Sequence, residues 1–135
     1  MNFDFIRFRL NESIDYFKDQ ITYVSTDNGI DLYSVDPSGT QILFLGLSIA
    51  KINLYFYEHR LITLYIHLAP DPGGLTRVLK ALEEEVGQLA KALEISTGKV
   101  YRWDKGWEIF GLVTDKAGSR LYLYLTLKEY NVFRD

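Results

Sequence analysis

Tyrosine, histidine and threonine alternate with aliphatic residues in three stretches of this chain, at positions 51–57, 61–68 and 121–128. A tyrosine side chain offers a large, rigid contact with a hydroxyl at its tip, which is why tyrosine is enriched in recognition surfaces. A histidine among the tyrosines adds a group that can exchange a proton near neutral pH. We therefore predict a binding surface made of six residues: Tyr55, Tyr57, Tyr65, His67, Tyr122 and Tyr124.

A period of two places alternate side chains on opposite faces of a β-strand. The tyrosine-bearing residues then share one face of a sheet and the aliphatic residues share the other, which is the expected core. The aliphatic set is Ile52, Leu54, Phe56, Ile62, Leu64, Ile66, Leu121, Leu123, Leu125 and Leu127. Three interpretations of the tyrosine-bearing face stay open: a partner surface, a half-exposed sheet face, or a second core covered by an N-terminal helix.

Acid-base and metal chemistry have few candidates in this chain. Glu85 lies at the edge of the apolar stripe of a predicted helix, where partial burial would suit it to general acid or base work and a position at the rim would not. His59 and His67 are the two histidines. A metal site needs three or four convergent ligands, and the sequence offers no such set. We predict no catalytic residue, no metal and no cofactor.

Two tryptophans, Trp103 and Trp107, flank the segment Asp104-Lys105-Gly106. They would form either an exposed clamp at a hairpin tip or part of the core, and the core is favoured because tryptophan is highly buried on average. The chain has no nucleotide-binding glycine motif, zinc-hydrolase motif or Ser-His-Asp signature. Because it has no cysteine, a disulfide framework and a thiol nucleophile are excluded.

Two helices are predicted from capping residues and helical spacing. Asn11 resembles an N-cap for a short helix over about residues 12–19. A long helix follows Gly74, with apolar residues at helical spacing from Leu75 to Leu93 and an end near Gly98. Gly87 would then lie inside this helix as a kink or a point of close approach.

Strands are expected at 21–26, 30–35, 51–57, 61–68, 99–103, 107–113 and 120–128, and no internal sequence repeat is present. Asn28-Gly29 predicts a tight hairpin turn between the first two of these strands. Short turns require antiparallel pairing. We expect a single α+β domain over residues 1–135: a mostly antiparallel β-sheet meander packed on one long α-helix, with a short N-terminal helix.

Charge and hydropathy limit the partners and the location. Fifteen basic and eighteen acidic residues give a formal net charge of −3, and no basic run is present, so nucleic acid is not an expected partner. No stretch is long and apolar enough for a membrane helix. Charged residues interrupt the first ten positions before the core of a signal peptide can form. We expect a cytoplasmic protein without membrane contact.

These observations predict a small intracellular, non-catalytic protein-binding module of the adaptor, inhibitor or toxin-neutralising type, which uses the tyrosine-bearing sheet face. One alternative is a small-molecule-binding or catalytic domain with a pocket between sheet and helix. The other is a homodimer that forms through the sheet face or through residues 120–128 as an exposed edge strand.

Overall fold

A computed structural model describes residues 8–35, 43–44, 47–69 and 73–131 of the chain. The fold is α+β, and the residues in these ranges form one antiparallel sheet and one α-helix. The helix is α1, Gly74–Val86, and 3-10 turns lie at Ile14–Phe17 and Lys128–Tyr130. The strands are β1 Ile21–Asp27, β2 Ile30–Val35, β3 Leu43–Phe44, β4 Leu47–Tyr57, β5 Arg60–Leu68, β6 Lys91–Ile95, β7 Gly98–Asp104, β8 Glu108–Asp115 and β9 Leu121–Leu127.

Eight strands follow one another across the sheet in the order β1-β2-β4-β5-β9-β8-β7-β6, and the short β3 pairs with the start of β4. Each half of the chain contributes a helical turn or helix followed by a meander that runs from an edge to the centre. The two halves join where β5 pairs with β9. The last strand is therefore central, and the prediction of residues 120–128 as an exposed edge is wrong.

The main core lies on the aliphatic face of this sheet. Ile52, Leu54 and Phe56 of β4 are fully buried there, and so is Leu82 of α1. The N-terminal turn packs on the same face, since the Phe17 and Phe56 rings lie 5.9 Å apart. The alternative in which an N-terminal helix covers the tyrosine-bearing face is thus not what the described residues form.

The long helix of the prediction is shorter, with 13 residues. Gly87 is not inside the helix: it ends it in the left-handed conformation, at φ 78°, and its N–H donates to the carbonyl of Glu83. Glycine is favoured at this position because it has no Cβ to oppose positive φ. Beyond it, Leu89 is exposed and Leu93 belongs to β6.

The predicted short N-terminal helix is a single 3-10 turn of four residues. Its N-cap is Ser13, whose hydroxyl accepts from the N–H of Asp15, and not Asn11. Asn11 instead has a positive φ of 69°, and its N–H donates to the carbonyl of Leu61 at 2.8 Å. Tertiary pairing with β5 therefore replaced the local helix start.

The Asn28-Gly29 hairpin is confirmed, with positive φ at both turn residues. The β4–β5 hairpin has the same kind of turn, although its two residues, Glu58 and His59, are not glycine. Within the described ranges, none of the helices has the length and apolar character needed to cross a bilayer.

Candidate functional site

The pairing register of β4, β5 and β9 brings polar and aromatic side chains onto the sheet face opposite the main core. Tyr65 pairs with Tyr124 and His67 with Tyr122 across β5 and β9. Residues directly opposite each other in an antiparallel ladder point to the same face. We call this surface the tyrosine face and define it by its five aromatic residues: Tyr55, Tyr65, His67, Tyr122 and Tyr124.

The five rings form one continuous cluster around Tyr65. Its ring centroid lies 5.6 Å from that of Tyr55, 5.7 Å from Tyr122 and 6.4 Å from Tyr124. The His67 imidazole lies 5.3 Å from the ring of Tyr122. These separations are typical of favourable aromatic pairs. The structure therefore brings five of the six predicted residues together on adjacent strands.

Tyr57 is separated from the cluster by an irregularity in the β4–β5 ladder. Tyr55 pairs with Thr63, but Phe56 pairs with Leu61, so one residue of β5 has no partner at this point. An extra residue of this kind bends the strand and increases its twist. Beyond it, the Tyr57 ring lies 6.4 Å from that of Tyr130, away from the other tyrosines.

Tyr124 differs from the other rings because it is buried, with 1% of its surface exposed. Its ring lies over Gly111, its partner on β8, and beside a small second apolar cluster that contains Val100, Ile109 and Val113. All buried residues of this cluster come from strands. Tyr124 is thus a buried packing partner of the other rings, whereas Tyr65 and Tyr122 are half-buried on the tyrosine face.

Burial sets the ionisation of the face. It raises the pKa of Tyr65 to about 12, with a smaller contribution from the neighbouring phenols of Tyr122 and Tyr55, and it also raises the pKa of Tyr122. Burial lowers the pKa of His67, and the positive charge of Lys51 lowers it further. At neutral pH the phenols are protonated and the imidazole is neutral, so the rings supply hydrogen bonds without charge.

A depression of about 320 Å³ adjoins one end of the tyrosine face. His67 and Tyr122 form part of its wall, together with Thr97, Val113 and Arg120. Asp115 lines the same depression, so it combines apolar and aromatic groups with one cationic and one anionic group.

The acid-base candidates do not converge. Glu85 is exposed on α1, and α1 packs on the aliphatic face, opposite to His67. His59 lies in the β4–β5 turn, eight positions from His67 along one strand, which separates them by roughly 26 Å at the rise of an extended chain. Over the described ranges, no three His, Asp or Glu side chains are grouped so that they could hold a metal ion.

The two tryptophans have different environments. Trp103 is buried, packs 5.5 Å from the ring of Phe110 and donates its indole N–H to the carbonyl of Gln88. It fixes the segment that follows α1 against the aliphatic face. Trp107 is 54% exposed, contrary to the favoured prediction of core packing for both.

Two kinds of residue near the tyrosine face were missed in the sequence. Gly111 interrupts an otherwise apolar strand, and an isolated glycine in a strand often marks a close approach. Lys51 pairs with His67 and belongs to the same face. The signal for it is its position two residues before Asn53 and four before Tyr55, in the same alternation. Both signals were readable in the printed sequence.

Comparisons with known proteins identify a similar fold and no family. No family model matches the chain, and no curated protein matches it. Among solved structures, the fold is similar to that of a cysteine-rich secretory protein from Staphylococcus aureus subsp. aureus Mu50, with a TM-score of 0.51 and 8% sequence identity. The similarity covers 89% of this chain and 45% of that one. This chain spans less than half of that protein, and the likeness concerns the fold alone.

Proposed function

We propose that this chain is a small, intracellular, non-catalytic protein-binding module, of the adaptor, inhibitor or toxin-neutralising type, and that it binds through the tyrosine face. One observation carries the proposal: half-buried rings form a continuous cluster over three adjacent strands, on the sheet face opposite α1. The residues that would contact a partner are Tyr55, Tyr65, His67 and Tyr122. Tyr124 would support them.

The rings are suited to recognition because they are held in place before binding. Tyr65 is packed edge-on against Tyr55, at an interplanar angle of 84°, and against Tyr122, at 65°. Side chains that are already ordered lose little conformational entropy when they are buried in an interface. Each phenol also retains a hydroxyl that can donate and accept a hydrogen bond.

A pocket between sheet and helix is less well supported. The residues of α1 that face the sheet, Val78, Leu82 and Val86, are buried in the main core among aliphatic side chains. Among the rings of the tyrosine face, Tyr55 also packs against this core, whereas Tyr124 belongs to the second apolar cluster. A second copy of this chain, bound through the tyrosine face as a homodimer, stays an alternative to a different partner protein.

The test is capture of partners from native lysate followed by mass spectrometry, with three forms of the protein as bait. They are the wild type, a face variant with Tyr55→Ala, Tyr65→Ala and Tyr122→Ala, and a control variant with Tyr16→Ala, Tyr23→Ala and Trp107→Ala. The control residues are exposed aromatic side chains that are not among the five of the tyrosine face. We expect one stoichiometric protein with the wild type and the control, and its loss from the face variant.

Folding of the face variant must be measured, because it loses three half-buried rings. If its circular dichroism and unfolding midpoint show an unfolded chain, Asn53→Trp replaces it. Asn53 pairs with Tyr65 on the same face and is half-buried, so an indole there obstructs the surface without removing any ring. Retention of the same partner by a folded face variant and by Asn53→Trp would contradict the proposal.

A further inference from the structure

Two cations act on the rings of the tyrosine face. Lys51 pairs with His67 across β4 and β5, and its charge lowers the pKa of that imidazole. Arg102 follows Gly111 in the row of paired residues that contains Tyr124, and its charge acts against the rise that burial causes in the pKa of Tyr124. Both of the charged side chains that shift pKa values of His67 and Tyr124 are thus basic.

Two further cations extend this arrangement. Arg120 lines the depression beside His67 and Tyr122. Lys91 pairs with Arg102 on β6 and so belongs to the same row at the edge of the sheet. Basic side chains therefore surround the aromatic centre from three sides, in a chain whose net charge is −3.

The nearest carboxylates are used by their own turns. Asp104 accepts from the N–H of Gly106 at 2.8 Å and lies 3.9 Å from the ammonium group of Lys128. Asp115 accepts from the N–H groups of Ser119 and Arg120. Lys128 thus offsets the charge of Asp104, whereas Asp115 stays ionised beside Arg120, so the excess of positive charge around the rings comes from Lys51, Lys91 and Arg102.

We propose that the partner of the tyrosine face is a protein that presents an acidic segment, whose carboxylates are attracted by the positive charges of Lys51, Lys91, Arg102 and Arg120 around an apolar or aromatic centre. This rests on the proposed function, because it names the partner class of the same surface. In such interfaces the buried centre supplies most of the affinity, and the rim charges set association rate, orientation and choice of partner.

The geometry of the rings favours an acidic polypeptide over single-stranded nucleic acid. Proteins that bind single strands stack bases on open aromatic faces along a basic groove. Here the Tyr65 ring meets its neighbours edge to face, and the Tyr124 ring lies on the backbone of Gly111. Rings packed in this way suit side-chain and main-chain contacts better than base stacking.

The experiment uses defined probes and two charge variants. The probes are a fluorescent random copolymer of glutamate and tyrosine, the matching copolymer of lysine and tyrosine, and oligothymidylate, each titrated by anisotropy. The rim variant carries Lys51→Glu, Lys91→Glu and Arg120→Glu, and the control carries Lys18→Glu, Lys80→Glu and Lys99→Glu. All six lysines and arginines are exposed, and the two variants have the same net charge. The control positions lie on the N-terminal turn, on α1 and on the aliphatic side of β7.

We expect the wild type to bind the glutamate-tyrosine copolymer and not the lysine-tyrosine one. Each exposed ion pair contributes a modest amount that salt screens, so three reversals should weaken binding roughly ten-fold or more at low salt, and the control far less. Equal weakening in both variants would reduce the effect to net charge and overturn the inference. Equal or tighter binding of oligothymidylate would overturn it in favour of nucleic acid.

The same variants separate failure of this inference from failure of the proposed function. If the lysate partner is lost from the face variant but retained by the rim variant, the protein-binding function stands and the acidic partner does not. If the glutamate-tyrosine copolymer binds the wild type and the face variant equally well, the rings take no part in binding. The proposed function then fails together with this inference. Loss of the lysate partner from both the face variant and the rim variant, with retention by the two control variants, supports both the proposed function and the acidic partner.

Discussion

Gly111→Ala should destabilise the protein because of one side chain, Tyr124. A Cβ atom at position 111 would lie 2.6 Å from the Tyr124 hydroxyl oxygen, and two carbons of the ring would be closer still. Tyr124 has 1% of its surface exposed and is packed beside Tyr65 and Val113, so the ring has no open space to move into. The methyl group must therefore displace packed groups.

The size of the effect follows from two opposing terms. Overpacking of a filled site costs about 1–3 kcal/mol. Alanine in place of glycine also reduces the entropy of the unfolded chain, which stabilises the fold by roughly 0.5–1 kcal/mol where the backbone allows it. The second term operates in any background, whereas the first requires the Tyr124 ring. In a Tyr124→Val background, Gly111→Ala should therefore be neutral or stabilising.

A double-mutant cycle measured by urea unfolding tests this reasoning. The four proteins are the wild type, Gly111→Ala, Tyr124→Val and the double variant, and the expected coupling free energy is the overpacking term alone, about 1–3 kcal/mol. Valine is chosen at position 124 because it is β-branched and too short to reach Gly111. An equal cost of Gly111→Ala in both backgrounds would refute the close approach of ring and backbone.

Three further perturbations test the same description of the protein. Because the pKa of His67 is lowered on folding, the unfolded state binds its proton first as pH falls; stability should decrease as pH falls through about 6.5, the ordinary pKa of the imidazole in the unfolded chain, and His67→Gln should reduce that loss in urea midpoints. Because the pKa of Tyr65 is raised to about 12, stability should be lost as pH rises above about 10, and Tyr65→Phe should remove one late phenol from an absorbance titration. Finally, Glu58→Asn with His59→Gly should raise stability by roughly 1–2 kcal/mol, since both residues have positive φ, and an unchanged melting temperature would contradict that turn.

Strand positions and the α+β class were predictable because β4, β5 and β9 alternate between aliphatic and polar residues over most of their length. The Asn28-Gly29 turn and the residues of β5 and β9 could be assigned from a period of two, since one face is aliphatic throughout. The same alternation predicted which rings share a face. It could not predict that β5 and β9 are neighbours, because their pairing spans the whole C-terminal half of the chain.

The helix prediction failed for a local reason. Leu89 and Leu93 continue the helical spacing of α1, so the apolar stripe extends past the true end of the helix at Val86. The decisive signal was Gly87, which is as compatible with a helix terminus as with a kink. Its left-handed conformation ended the helix, and the residues after it formed β6 instead.

The proposed binding surface depends on a strand order that the sequence did not predict. β9 comes after every other strand in the chain but lies at the centre of the sheet, which places Tyr122 and Tyr124 beside Tyr65 rather than at an edge. The two meanders then each contribute cations from their own strands, Lys51 from β4 and Arg102 from β7. An aromatic centre with a basic rim thus arises only when the two halves of the chain pair. Variants that weaken the β5–β9 pairing, such as loss of the buried Thr63–Thr126 hydrogen bond, should therefore impair binding and folding together.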